Sequence, residues 1–301
     1  MLGIKIGQVV VLKRPISYYR FLYNVYVTRL FFGQISRMIF GNDAGFKENL
    51  IGRYEVRKAS SITSKAPAQN KYSEILSNDG FVVLGEIFDK NLILKIQAKF
   101  QALILEEEKK GKNKYINFPE IAKQIPEIEH LLTPEISQTL RTYYQGGNFW
   151  LMSVQAWRNY HWPEAASNKD INSNLWHNDA TPTNILKLFI FLSDGVSKNN
   201  GATRMLSIKN TRKVMRTGYF NRQFIFGNAK RIAGNEANIN YMEGGTGTSF
   251  IFNPQLCLHG AGVAMPNSFR DALCLQFAPT PVPLDSDWVN DIGNRSKAET
   301  Y

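Results

Sequence analysis

The chain has 301 residues, 44% of them hydrophobic and 12% aromatic, which is enough apolar material for a packed core in one large or two small domains. Two cysteines, Cys257 and Cys274, form no framework of spaced pairs, so a disulfide scaffold is excluded and buried thiols in a reducing compartment are expected. The net charge of +11 is uneven: residues 1–60 hold ten Lys or Arg against Asp43, Glu48 and Glu55, so the basic excess belongs to an N-terminal extension.

Within that extension, Ile16 to Phe40 is rich in Tyr, Phe, Leu, Ile and Val, but Arg20, Arg29 and Arg37 interrupt it. No uncharged run reaches the ~20 apolar residues of a spanning helix. Two readings stand: an extra helix packed on the core with its arginines solvated, or a segment in the headgroup layer with Arg on anionic lipid and aromatic side chains in the acyl boundary. The late, Arg-punctuated apolar region argues against a signal peptide, and no nucleic-acid-binding signature accompanies the charge. A cytoplasmic protein is expected, peripheral at a membrane through residues 16–40 if the second reading holds. Residues 59–70 have linker composition. The expected division is an extension and linker over 1–70, a main domain over 71–285 and a tail over 286–301.

Phe81 to Leu84 reads as a short strand, and Asp89 caps a helix whose Leu92, Ile93, Ile96, Phe100, Leu103 and Ile104 recur at helical spacing. Residues 119–144 should form one or two further helices, broken at Pro126 and Pro134 and stopped by Gly146-Gly147. From Phe149 to Trp157 the pattern is β-rich. On its polar face, Gln155 and Trp157 either touch a ligand or are satisfied within the core. His161, just beyond, is a candidate for the pocket entrance.

In Leu175-Trp176-His177-Asn178-Asp179 the alternation of an extended strand sends His177 and Asp179 to the same side, with Cα atoms roughly 6–7 Å apart. His259 would complete a two-His, one-carboxylate face, a set that holds iron with its opposite side open and that also accepts zinc. Thr183 to Leu192 is the next strand. Its Lys187 needs a partner if buried, and either meets an acid of a cosubstrate or emerges at a sheet edge. Residues 207–234 form a basic, aromatic insertion expected as a solvated loop near the site mouth, favouring an anionic partner. After His259, a Gly/Pro/Asn-rich turn leads to a returning strand that starts at Arg270, whose guanidinium can grip a carboxylate in a fork. Strands joined by Gly/Asn/Pro turns, preceded by helices, predict an α+β, mainly β protein with a double-stranded β-helix (jelly-roll, cupin-like) core and supporting N-terminal helices.

His177-x-Asp179, with His259 followed eleven residues later by Arg270, resembles the phytanoyl-CoA dioxygenase family of iron(II)/2-oxoglutarate enzymes. Asp79-Gly80-Phe81-Val82-Val83-Leu84, Asn199-Asn200-Gly201 and Gly247-Thr248-Ser249-Phe250-Ile251-Phe252 resemble that family's opening strand, mid-domain turn and glycine-led strand, so the likeness covers roughly residues 72–280. Two departures stand out. Met205 to Asn210 replaces a Pro-Gly-Ser-His-like stretch, and Ala261 stands where many relatives carry Ser. The resemblance implies Fe(II) on His177, Asp179 and His259, 2-oxoglutarate chelated to it with its far carboxylate on Arg270, and hydroxylation of a small, anionic or amphiphilic substrate by dioxygen. Lys187 and Gln155 are further candidates for cosubstrate contact. The alternatives are a non-oxidative metal-binding barrel that senses or scaffolds, and a membrane-surface protein acting through residues 1–60.

Overall fold

A computed structural model describes residues 5–6, 9–10, 70–111, 115–162, 173–179, 184–217 and 227–279. The segment 16–40, nearly all of the linker and the tail expected at 286–301 lie outside the described residues, so the domain division rests on sequence. Among the described residues no helix is long and apolar enough to cross a membrane.

The first helix, α1 (Lys71–Asp79), begins at Asn70, whose side chain accepts from Ser73 N while Ser73 Oγ accepts from Asn70 N. The linker-like composition before it hid this cap. It ends at Gly80 with φ +84°, where a Cβ would lie 2.4 Å from Cys257 Sγ, so glycine is required twice over. Strand β1 (Phe81–Gly85) follows, then α2 (Lys90–Lys109), capped by Asp89 as expected and burying Ile93, Ile96, Phe100 and Ile104.

In the stretch 119–144, expected to hold one or two helices broken at Pro126 and Pro134, one α-helix forms and it starts at Pro134. Strand β2 (Tyr115–Phe118) precedes two 3-10 segments, Ile121–Lys123 and Pro126–Leu131, and α3 (Pro134–Tyr143) is the one α-helix. Prolines eight residues apart leave room for a turn or two between them, where i→i+3 bonding suffices.

Next come β3 (Phe149–Tyr160), β4 (Leu186–Phe191) and β5 (Thr203–Leu206). The basic stretch 207–234, expected as a loop, contains α4 (Ile208–Met215) and α5 (Gly227–Ala233). Ser207 caps α4, and Val214, Met215, Ala229 and Ala233 pack with Trp176 and Leu258 while Lys209, Lys213 and Lys230 stay exposed. The described residues end with β6 (Ile239–Met242), β7 (Ser249–Phe252), β8 (His259–Gly260) and β9 (Phe269–Pro279).

These strands form a six-stranded antiparallel sheet, β1-β7-β4-β9-β3-β2, and a three-stranded one, β8-β5-β6. Alternation along β4 and β9 divides the core. Leu188, Ile190, Leu273 and Leu275 face α1, α2 and α3, whereas Phe189, Phe191, Ala272 and Cys274 face Met205 and Met242 of the small sheet. Each buried Leu, Ile, Phe or Met among them contributes about 1.5–3 kcal/mol of hydrophobic stabilisation. On the helix side, Arg158 Nε and Nη2 grip Asp271 Oδ1 and Oδ2 at 2.8 and 2.7 Å, Gln101 donates to Asp271 Oδ2 at 2.7 Å, and Phe269 covers the guanidinium at 3.7 Å. This buried fork ties α2 to the start of β9.

Candidate active site

His177 and His259 face each other across an antiparallel bridge, each backbone N–H donating to the other's carbonyl at 2.9 Å. The strand expected around His177 is reduced to that bridge, and Asp179 is held instead by its N–H on Pro254 O at 2.8 Å. The result is still convergent. Asp179 Oδ1 lies 3.7 Å from His177 Nε2 and 3.8 Å from His259 Nε2, and the three donor atoms fall within 4.8 Å of one another.

Both imidazoles are oriented from behind. His177 Nδ1 lies 2.8 Å from Leu175 O and His259 Nδ1 3.0 Å from Cys257 O. A carbonyl there requires the proton on Nδ1, so the Nε2 lone pairs face Asp179. Burial, reinforced by the neighbouring His177, pushes the His259 imidazole down to about 3, which keeps it neutral and able to bind a metal at neutral pH.

Lys187 sits on β4 between β7 and β9, inside the sheet and not at its edge. Its ammonium lies 2.6 Å from Asp179 Oδ2. Burial alone would raise the Asp179 carboxyl, but Lys187 and the two imidazoles outweigh it and hold the group below the usual carboxylate range.

These groups open onto a cavity of about 430 Å3 lined also by Gln155, Trp157, Phe189, Phe252, Ala261 and Arg270. Arg270 is 3% exposed and donates through Nη1 to Gly201 O at 2.6 Å and Thr203 Oγ1 at 3.2 Å, while its Nε is buried without a partner. Burial lowers its guanidinium to about 10. Gly201, at φ +78°, turns the chain in a conformation that favours glycine, and its carbonyl accepts from Arg270, so that turn braces the arginine. Register aligns Arg270 with Asn159 and Asn159 with Tyr115, a row of three side chains on the cavity wall, and Asn159 Oδ1 is likewise buried and unpartnered.

Tyr115, Asn159, Ser173 and Thr203 were not picked out from the sequence. The alternation in Tyr115-Ile116-Asn117-Phe118 was the available signal for the first of them. His161 is absent from the cavity wall and bonds through Nδ1 to Ala264 O at 2.7 Å. The cysteines are buried and free as expected, but Cys257 lies in the turn before β8 and not on a strand. Burial drives both thiols upward, Cys274 to about 12.

No protein-family model and no curated protein matches the chain. Solved structures do. The epimerase SnoN in complex with Fe3+, alpha ketoglutarate and nogalamycin RO matches at TM-score 0.50 and 12% identity, over 69% of this chain and 82% of that one. HygX from Streptomyces hygroscopicus with nickel and 2-oxoglutarate bound matches at 0.48 and 13%, over 71% and 88%. AviO1 from Streptomyces viridochromogenes Tue57 matches at 0.48 and 16%, over 71% and 96%. At these identities the likeness is one of fold: the chain shares the mixed helix and antiparallel-sheet architecture of SnoN.

Proposed function

We propose that this protein is a non-haem iron(II)/2-oxoglutarate-dependent oxygenase of the phytanoyl-CoA dioxygenase type, hydroxylating a C–H bond of a small anionic or amphiphilic molecule. One observation carries the reading. A single cavity brings together two imidazoles and a carboxylate, all aimed at one another, with a buried guanidinium whose Nε–H has no partner.

The residues fit the groups this requires. His177, Asp179 and His259 offer the nitrogen and oxygen donors that suit a ferrous ion and leave part of its surroundings open. Arg270 offers a charge-assisted N–H for the far carboxylate of a diacid, and Gln155 lines the same wall. When bound, iron and cosubstrate supply an oxidant able to take hydrogen from an unactivated C–H bond, with succinate and CO2 as co-products. Trp157, Phe189 and Phe252 would exclude water and shield the reaction. The retained Asp179, where a small residue would make room for halide, favours hydroxylation. Two antiparallel sheets facing each other support reading the core as a double-stranded β-helix within a catalytic domain over 71–285.

The test is an anaerobic titration with Fe(II) and then 2-oxoglutarate, followed by a survey of acids and amphiphiles for succinate release. A weak visible charge-transfer band is expected. Tight zinc binding with no such band would replace the oxygenase by a metal-holding scaffold.

A further inference from the structure

We infer that Lys187 is a positioning residue which keeps Asp179 a one-oxygen ligand and, through its charge, holds the bound ion in its divalent state. The inference rests on the iron site proposed above. Its basis is how the two oxygens of Asp179 are divided: Oδ1 faces both Nε2 atoms at 3.7 and 3.8 Å, while Oδ2 is 2.6 Å from the Lys187 ammonium. For Oδ2 to turn to a metal as well, it would have to leave a largely buried ammonium, whose side chain is 16% exposed, without its carboxylate. The attachment point of that ammonium is fixed, because the Lys187 backbone is paired on one side with Phe252 and on the other with Gln276. One oxygen is thus committed to the protein, and a position that a two-oxygen carboxylate would occupy stays free for ligands.

The charge has a second effect. A carboxylate shared with an ammonium passes less negative charge to its ion, and a trivalent ion suffers more from that loss than a divalent one. Removing a unit charge in contact with a ligand oxygen shifts the ferric-to-ferrous ratio on the order of 100-fold in a medium of effective dielectric about 20. For a one-electron couple that is about 120 mV.

The experiment is a mediated potentiometric titration of Fe(II)-loaded protein without cosubstrate, in which the ion gives one electron to the mediator. Lys187→Gln, which keeps a hydrogen bond and loses the charge, and Lys187→Met, which loses both, should have midpoints lower by about 120 mV, and Lys187→Arg should stay near the wild type. Neutral variants within about 30 mV of the wild type would overturn the charge role. A crystal structure of metal-loaded wild type needs no variant. It should have Asp179 on the ion through one oxygen with Lys187 on the other, and both oxygens on the ion would overturn the positioning role. Iron bound with an unmoved potential defeats this inference alone, whereas wild type that binds no iron defeats the oxygenase reading with it.

Discussion

Replacing Arg270 by Met separates a ligand-binding charge from a structural one. Burial lowers the guanidinium from 12.5 to about 10, so keeping it charged costs the folded chain about 3 kcal/mol. Methionine is of similar length, fills irregular space and removes that cost. Against this, Gly201 O and Thr203 Oγ1 lose a donor, at about 1 kcal/mol each. The two effects nearly cancel, and Tm should stay within about 4 °C of the wild type. Affinity has no such compensation. A charge-assisted fork contributes roughly 3 kcal/mol, so 2-oxoglutarate should bind Arg270→Met more than about 100-fold more weakly. Calorimetric titration of 2-oxoglutarate into Ni(II)-loaded protein, run beside thermal melts, measures both quantities. If the affinity holds within about threefold while Tm drops by more than about 10 °C, the guanidinium is a strut and the reasoning fails.

Asp179→Ala and His259→Ala should each abolish stoichiometric Fe(II) binding and succinate production, and normal turnover by either would remove that residue from the site. Asp271→Ala leaves Arg158 without its fork and should destabilise the protein by about 3–5 kcal/mol, read as a lower urea midpoint. An unchanged midpoint would show the buried pair to be idle. In metal-free protein, His259 takes its proton near pH 3 when folded and near 6.5 when unfolded, so the unfolded chain binds protons first as the pH falls. This contribution is complete above about pH 6.5 and is lost progressively toward about pH 3. The urea midpoint in chelator should therefore fall more steeply between pH 7 and pH 5 in wild type than in His259→Gln, and equal slopes would refute the assignment.

Much of the site is written in short-range pattern. His177-x-Asp179 and the pair His259 and Arg270 are legible because one motif fixes a face and the other follows a turn. The helix over 90–109 is legible from its cap and apolar spacing. Lys187 shows how far that reasoning reaches: alternation put it on the face of Phe189, but whether β4 was an edge or an interior strand, and so which partner it met, is a matter of sheet order. Asn159 and Tyr115 were missed for the same reason, since register between distant strands assembles their row with Arg270. The helices at 208–215 and 227–233 were hidden because charges and aromatics crowd a stretch whose few buried residues form a small separate core.

The mutual backbone bridge between His177 and His259 joins positions about eighty residues apart in the chain. Because the rungs of a ladder set the gap between those two imidazoles, loops between the strands of the intervening stretch can change in length while the gap stays the same. The two side chains that face each other there are thus spaced by main-chain hydrogen bonds and not by the loops that rim the pocket.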